Sequence, residues 1–252
     1  MIIRSLYNTA SQMNVLQKKQ ENSAANTANV NTPGFKYQEL VQRTMKEYEV
    51  KNHTGGLGNN EEQKLGSINF GTEIDEAYTH FSQGILKETG TPTDLAISGE
   101  GFFAVQMQNG QTGYTRSGNF RIDGEKRLVT QEGFPVFGID AQNNVSPIMV
   151  ENDFLSIDNK GMINGTEKRV MIVDFADYTA LEQKGNSIYA GQGTNLVADQ
   201  AVSQGYLEGS NVNLLDEMVK MIEVSREFES NQRTLKAIDE TLQKAVNEIG
   251  RN

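Results

Sequence analysis

The stretch LLDEMVKMIEVSREFESNQRTLKAIDETLQKAVNEIG, residues 214–250, carries the most regular pattern in the chain. In this stretch an apolar side chain recurs at every seventh position. A spacing of seven residues keeps side chains on one stripe of a slightly underwound α-helix, which is the seam of a coiled coil. The pattern therefore predicts a long C-terminal helix with a partner on one side. Its stripe consists of Leu214, Met221, Phe228, Leu235, Leu242 and Ile249.

Residues around this helix mark where it begins and ends. Asn213 suits the N-cap position, because its side-chain oxygen can accept a hydrogen bond from a free backbone N–H. Asp216 and Glu217 then lie in the first turn, where the helix dipole favours negative charge, and Gly250 is a suitable stop. A companion row on the same helix is apolar only at its two ends: Met218, Ser225, Gln232, Asp239 and Val246.

The N-terminus carries a weaker helical stripe that becomes small and polar along its length. Such a helix buries little apolar area alone and needs a partner, for which the C-terminal helix is the obvious choice. Periodicity leaves two interpretations open: a helix pair private to one chain, or helices that pack against other chains. The two rows of the N-terminal stripe are Ile3, Ala10, Gln17 and Ala24, and Leu6, Met13, Gln20 and Thr27.

Three asparagines, Asn22, Asn26 and Asn29, share one face near the end of the N-terminal helix, because they lie four and three residues apart. An amide row adds little to a hydrophobic core, but it can hydrogen-bond backbone groups or a neighbouring chain. The sequence NTPG at 31–34 then ends the helix, since the residue before proline is extended and glycine permits a tight turn.

The middle of the chain predicts β structure. Residues 41–70 are polar and rich in turn residues, which indicates an extended linker with flexible points at Gly55-Gly56 and at 58–60. Residues 71–208 alternate short apolar runs with turn pairs such as Asn109-Gly110 and Asp123-Gly124, which is typical of hairpins. We therefore predict an α+β fold with a mostly antiparallel, all-β central body. The N-terminal helix (1–40) and the C-terminal helix (209–252) form a coiled-coil pair.

Composition and charge exclude several classes of protein. The formal net charge of −10 disfavours nucleic-acid binding, which needs clustered Lys and Arg, and no apolar run is long enough for membrane insertion. The chain contains no cysteine, and its two histidines, His53 and His80, have no carboxylate at metal-ligand spacing. SGEGFFA at 98–104 imitates a dinucleotide fingerprint, but a strand follows it instead of a helix. We expect no catalytic, cofactor-binding or metal site.

Five segments together resemble one family. ANTANVNTPGFK (25–36) resembles the N-terminal signature of the bacterial flagellar basal-body rod and hook proteins, the axial proteins of the flagellum. The segment 208–250, which begins EGSNVN, is similar to the C-terminal helix of that family. The segments 82–106, 114–123 and 128–136 resemble its shared middle blocks. Within the family, SNVN and the long segment at 45–67 favour the distal-rod branch.

This resemblance implies a non-enzymatic structural subunit of the flagellar basal body. It would leave the cell through the flagellar type III export apparatus without a cleaved signal peptide, and would polymerise into a helical tube that transmits torque. Its partners would be further copies of itself, other rod and hook proteins and the export apparatus. Alternatives are a hook or proximal-rod subunit, or a self-contained β-rich surface protein outside the flagellum. An enzyme acting on the cell wall would need a paired-carboxylate cleft.

The resemblance also implies which residues pack or assemble. In the family, the asparagine-rich helix end and the Pro-Gly turn lie in a dense tube wall, where we expect the amides to satisfy neighbouring subunits. The expected packing and assembly residues are Ile3, Leu6, Met13, Asn22, Asn26, Asn29, Asn31, Pro33, Gly34, Phe35, Asn211, Asn213, Leu214, Met218, Met221, Phe228, Leu235, Leu242 and Ile249.

Overall fold

A computed structural model of the chain describes residues 2–54, 61–108, 110–150, 155–185, 187–192, 194–197 and 201–249. The chain divides into two compact units. The helical unit comprises residues 1–27, 38–78 and 214–252, and the β unit comprises residues 28–37 and 79–213. Several predicted features lie outside the described residues: the glycines at 55, 56 and 58, Asn109, Gly250, and the side chains of Ile3 and Ile249.

The helical unit contains both helices. Helix α1 spans Ile2–Ala28 and helix α2 spans Leu214–Ile249, so both predicted helices are confirmed, with α2 beginning directly after Asn213. Neither helix is long and apolar enough to cross a membrane, judged over the residues that the structure describes. Their stripes of apolar residues instead need protein surface as a partner.

The segment that we expected as an extended linker forms strands. Strand β1 (Gln38–Thr44) pairs with β4 (Thr72–Thr79), and β2 (Tyr48–Thr54) forms an antiparallel hairpin with β3 (Glu61–Ile68). The polar composition misled the prediction because the described residues of this hairpin are mostly exposed on both faces, so no alternation of apolar and polar residues marks them.

The β unit consists of fifteen short strands in the described residues. The largest sheet has six strands in the order β15-β16-β8-β7-β14-β17, and its pairings are antiparallel. A short 3-10 helix, Tyr178–Ala180, is the only helical segment of the unit apart from the end of α1, within the part that is described. The strands are β5 Leu86–Glu88, β6 Leu95–Ser98, β7 Phe102–Gln106, β8 Thr112–Thr115, β9 Phe120–Ile122, β10 Leu128–Thr130, β11 Phe137–Ile139, β12 Val145–Pro147, β13 Arg169–Val170, β14 Ile172–Phe175, β15 Glu182–Gly185, β16 Ile188–Ala190, β17 Thr194–Leu196, β18 Ala201–Gln204 and β19 Tyr206–Glu208.

The central strand β7 explains the continuous apolar run FFAV. Side chains alternate across a strand, and Phe103 and Val105 enter one hydrophobic cluster while Phe102 and Ala104 enter another. Both faces of the sheet are therefore buried at β7. The preceding Gly101 has φ +114, and a Cβ there would lie 2.8 Å from a methyl group of Ile172. Gly101 of SGEG thus serves close packing beside a strand.

Hairpin loops of the β unit differ from the two-residue turns that we predicted. At Asp123-Gly124 the left-handed residue is Lys126 (φ 60), and the Asp123 carboxylate accepts the N–H groups of Glu125 and Arg127 at 2.9 and 2.8 Å. Asp140 and Asp158 repeat this arrangement with the residues two and four positions later. In each loop the left-handed residue comes three positions after the aspartate, as Lys126, Asn143 or Gly161, and the carboxylate bonds hold the backbone around it.

Candidate functional site

The asparagine row of α1 binds backbone within its own chain. The side-chain NH₂ groups of Asn22 and Asn26 donate to the carbonyl of Gln38 at 2.7 and 2.8 Å. The Gln38 N–H returns a bond to the Asn26 side-chain oxygen at 3.2 Å. These two amides therefore hold α1 against the first residue of β1, and the role toward a neighbouring subunit that we expected for them stays a prediction. Asn31, by contrast, is exposed, and its assembly role stays a prediction.

The contact between α1 and α2 is polar where the structure describes it. The Ser23 hydroxyl donates to the Glu217 carboxylate at 2.6 Å, and the Asn26 amide lies 3.4 Å from the same oxygen. All three residues are buried. Polar pairs of this kind define the register of two helices rather than add stability. The contact pairs the two ends of the chain, but an apolar coiled-coil seam between α1 and α2 stays a prediction.

The buried face of α1 differs from its predicted stripe. Leu6 and Met13 are half-buried as members of that stripe, whereas Ala10, Gln17 and Ala24 are exposed. The best-buried apolar residues of α1 are Val15 and Leu16, which the seven-residue rows did not include. Val15 and Leu16 are about 100° apart around the axis, and the buried Ser23 and Asn26 lie between them, so α1 packs on one face that is broader than a seven-residue row.

Helix α2 shows a long stripe that its own chain covers only in part. Leu214 and Met218, which we expected to pack, are exposed at 36% and 48%. Beyond Glu217, most of the partly buried residues follow alternating spacings of three and four, as a heptad stripe requires. They are Met221, Val224, Phe228, Asn231, Leu235, Ile238, Leu242 and Ala245.

The turn after α1 is tightly packed in the β unit. Thr32 donates through its N–H to the Asn29 carbonyl at 3.1 Å, and Gly34 follows with φ +68. A Cβ on Gly34 would lie 2.2 Å from the backbone nitrogen of Ser117, so only glycine fits there. Pro33 is half-buried and Phe35 is buried. The predicted turn is thus packed within the β unit, against Ser117.

A buried cluster of charges joins distant segments of the β unit. The Lys36 ammonium donates to the Glu208 carboxylate at 2.5 Å and to the Ser82 carbonyl at 2.7 Å, and Arg116 lies 3.3 Å from the other Glu208 oxygen. The side chains of Lys36, Arg116 and Glu208 are 1%, 4% and 1% exposed. Burial lowers the pKa values of Lys36 and Arg116, and the Glu208 charge opposes that shift.

Asn211 completes this junction of chain segments. Its side-chain oxygen accepts the N–H of Tyr37 at 2.7 Å, and its NH₂ group donates to the carbonyls of His80 and Ser82 at 2.8 and 3.1 Å. Asn213 is exposed. Sequence reasoning missed the Lys36–Glu208 pair because 172 positions separate the two residues, and no local pattern announces the contact.

The described residues contain no group of three or more His, Asp or Glu side chains placed to hold a metal ion. The turn after α1 lines a polar cleft of about 390 Å³ with side chains that are mainly amides and hydroxyls. Apolar surface of α2, by contrast, stays exposed at Leu215, Met218, Val219 and Ile222.

Two family models match the chain. Residues 203–248 match the model described as "Flagellar basal body rod FlgEFG protein C-terminal". Residues 96–165 match the model described as "Flagellar hook protein FlgE/F/G D1 domain". The first match includes all of α2 except its last residue, and the second includes the strands β7 to β12.

Named proteins from several bacteria are similar to the chain over nearly its full length. The flagellar basal-body rod protein FlgG of Bacillus subtilis is 34% identical, over 98% of this chain and 99% of the relative. FlgF of Caulobacter vibrioides is 32% identical over 98% of each chain. The flagellar hook-basal body complex protein FlhO of Bacillus subtilis is 31% identical, over 99% of this chain and all of the relative.

Proposed function

Because this chain belongs to the family of flagellar basal-body rod proteins, we propose that it is a structural subunit of the rod and polymerises into a helical tube. The subunit is of the distal-rod type and transmits torque along the tube. It leaves the cell through the flagellar type III export apparatus and assembles with other rod and hook proteins. Its role is mechanical, and we propose no reaction or cofactor for it.

The observation that carries this proposal is the stripe of α2 that its own chain covers only in part. Apolar side chains repeat along seven turns of helix and are still partly exposed, which costs free energy in an isolated subunit. Packing against neighbouring subunits would remove that surface from water. Contacts between unlike faces of identical subunits do not close and so generate open helical tubes.

The junction around Lys36 and Glu208 supports a mechanical role as well. A buried ion pair with further hydrogen bonds holds the segment after α1 beside the segment before α2 within the β unit. The Gly34 N–H donates to the Glu208 carbonyl at 2.8 Å in the same place. Segments that are cross-connected in this way resist being pulled apart, as a torque-bearing subunit requires.

The test is the composition and length of purified hook–basal bodies. Particles from the bacterium that encodes this chain are analysed by mass spectrometry, and particles from a deletion strain by electron microscopy. The proposal expects the chain in the wild-type particles and structures that stop before the hook in the deletion strain. Absence of the chain from the particles, or complete hooks without it, would overturn the proposal.

A proximal-rod subunit is the second candidate, because a FlgF protein is 32% identical over 98% of the chain. The same electron micrographs separate the two candidates. Loss of a distal-rod subunit leaves a short rod stub, whereas loss of a proximal-rod subunit removes the rod from its base. The point of truncation therefore identifies the segment.

A further inference from the structure

In the first turns of α2, a charged residue faces α1 and apolar residues are exposed. Glu217 faces Ser23 of α1 and is only 2% exposed. Met218, Val219 and Ile222 are exposed at 48%, 55% and 54%. These three residues and Leu215 follow the spacings of one helical face, which we name the outer face of α2.

The outer face cannot turn toward α1 of its own chain. Successive residues of an α-helix are about 100° apart, so Val219 and Ile222 lie about 200° and 140° around the axis from Glu217. Because Glu217 is hydrogen-bonded to α1, these side chains point away from it. Apolar side chains clustered in this way on a surface are typical of a protein interface.

The same helical unit carries an apolar groove on another side. The groove has a volume of about 320 Å³ and lies between α1 and the strands β1 and β4. Its apolar lining comes from Val15, Leu40, Met45 and Ile74. A hydrogen bond from the Thr72 N–H to the Ser11 hydroxyl, at 3.3 Å, holds β4 against α1 beside it. The groove is therefore a formed feature of the unit.

Charge favours a contact between α2 of one copy and the α1 side of another. Helix α1 has three basic residues and one acidic residue, a net charge of +2, whereas α2 has five basic and eight acidic residues, a net charge of −3. Two α2 helices would repel each other if they faced one another directly. Lys18 lies on the α1 side of the groove and Glu73 on the β4 side, and Glu223 follows the outer face directly, so opposite charges meet where the outer face approaches α1.

We propose that the outer face of α2 in one copy of this chain inserts into the groove between α1 and the strands β1 and β4 of the next copy. The inference rests on the proposed polymerisation and specifies its contact. An exposed apolar face and a groove on the same molecule that receives it make a heterologous contact, which propagates from copy to copy without closing.

The absence of cysteine from the chain permits a direct cross-linking test. Asn14 lines the groove and is exposed, and Ile222 belongs to the outer face. The double variant Asn14→Cys/Ile222→Cys replaces the chromosomal copy, and purified hook–basal bodies are oxidised and run on denaturing gels. The expected result is a ladder of cross-linked dimers, trimers and longer species. Either single variant alone should stay monomeric.

The matched control is Asn14→Cys/Gln243→Cys. Gln243 is an exposed residue of the same helix about 30 Å further along its axis, so no ladder is expected. Mass spectrometry of the same particles establishes incorporation of the variant independently. Absence of the wild-type chain from wild-type particles would overturn the proposed function and this contact with it. Three results would overturn the contact alone: incorporation without a ladder, a ladder in the control, or cross-linked dimers of Ile222→Cys by itself.

Discussion

At the scale of single residues, aspartate carboxylates shape the loops of the β unit. Each of Asp123, Asp140 and Asp158 accepts two backbone N–H bonds from its own loop. Such bonds favour the ionised carboxylate. They are the main cause that lowers the pKa of Asp123 and of Asp140 below the usual aspartate range. Loop conformation is therefore linked to pH.

This linkage predicts acid sensitivity of a definite sign. A lowered pKa in the folded state contributes stability above the unfolded pKa of about 3.9, and that stability is lost as the pH falls through the folded pKa. We expect Asp123→Asn/Asp140→Asn to lose less unfolding free energy than the wild type between pH 6 and pH 2.5. Urea unfolding followed by tyrosine fluorescence measures it. Exposed Glu76→Gln is the control, and equal acid losses in wild type and double variant would contradict the prediction.

Gly34 is a second residue whose replacement has a clear expected outcome. Gly34→Ala places a methyl group 2.2 Å from the Ser117 nitrogen and holds alanine at φ +68. We expect a loss of about 1–3 kcal/mol in unfolding free energy. Gly124→Ala is the matched control, because nothing lies within 4 Å of its Cβ position. Similar urea midpoints for both variants would show that the turn does not approach Ser117 so closely.

Glu208 should be the most sensitive charged residue of the β unit. Glu208→Gln leaves Lys36 and Arg116 charged, buried and without an anion, which we expect to cost about 3–5 kcal/mol. Adding Lys36→Met to that variant removes one of the two cations and should recover part of the loss. The exposed pair of Lys184 and Glu182 is the control, since Glu182→Gln should change the stability by about 0–1 kcal/mol. Urea midpoints measure the stability of all three variants. A loss of stability in Glu182→Gln as large as that in Glu208→Gln would contradict the argument from burial.

At the scale of elements, α2 forms a long helix whose apolar stripe is incompletely covered. Its charged residues support an exposed helix, and its stripe from Met221 to Ala245 is covered only in part. A stripe of this kind contributes most of its hydrophobic stabilisation only when a neighbour covers it. Helix formation and assembly are thus separable properties of the same residues.

A charged residue within the stripe should prevent assembly without unfolding the rest of the chain. We expect Phe228→Asp or Leu235→Asp to leave the chain out of hook–basal bodies, while the urea midpoint of the β unit is unchanged, because neither residue belongs to that unit. Mass spectrometry of purified particles measures incorporation. Glu229→Asp, beside Phe228 on the exposed side, is the control and should incorporate normally. Rods built normally from either stripe variant would refute the role of the stripe.

At the scale of the whole molecule, the two units differ in how their residues are buried. Each described apolar cluster of the hydrophobic core belongs to the β unit, whereas the helices of the other unit are half-exposed over most of their length. Ordering a residue costs about 1–2 kcal/mol of backbone entropy. In a single chain, the helical unit buries little apolar surface to offset that cost. Local opening should therefore be far more frequent in the helical unit.

Limited proteolysis of the isolated chain measures this difference. We expect trypsin to cleave within α1 and α2 first and to leave a resistant fragment that contains residues 79–213. Mass spectrometry over a time course identifies the cleavage sites. Lasting protection of residues 1–40 and 210–252 would favour the alternative of a private helix pair in a self-contained protein.

The sequence by itself determined the elements whose cause is local. The seven-residue spacing between Leu214 and Ile249 predicted α2, and the Pro33-Gly34 pair predicted the sharp turn after α1. The turn pair Asp123-Gly124 predicted a hairpin, which the antiparallel strands β9 and β10 form. Periodicity, turn chemistry and glycine conformation act over a few residues, so they can be read without knowing the fold.

Only the tertiary structure decided which polar groups are buried. Ser23 meets Glu217 across 194 positions of sequence, and Lys36 meets Glu208 across 172. It also paired the polar segments at 48–54 and 61–68, and gave Asn22 and Asn26 a partner at Gln38 of their own chain. The physical reason is that a charge or an amide tolerates burial only beside a specific partner, and long-range packing alone supplies that partner.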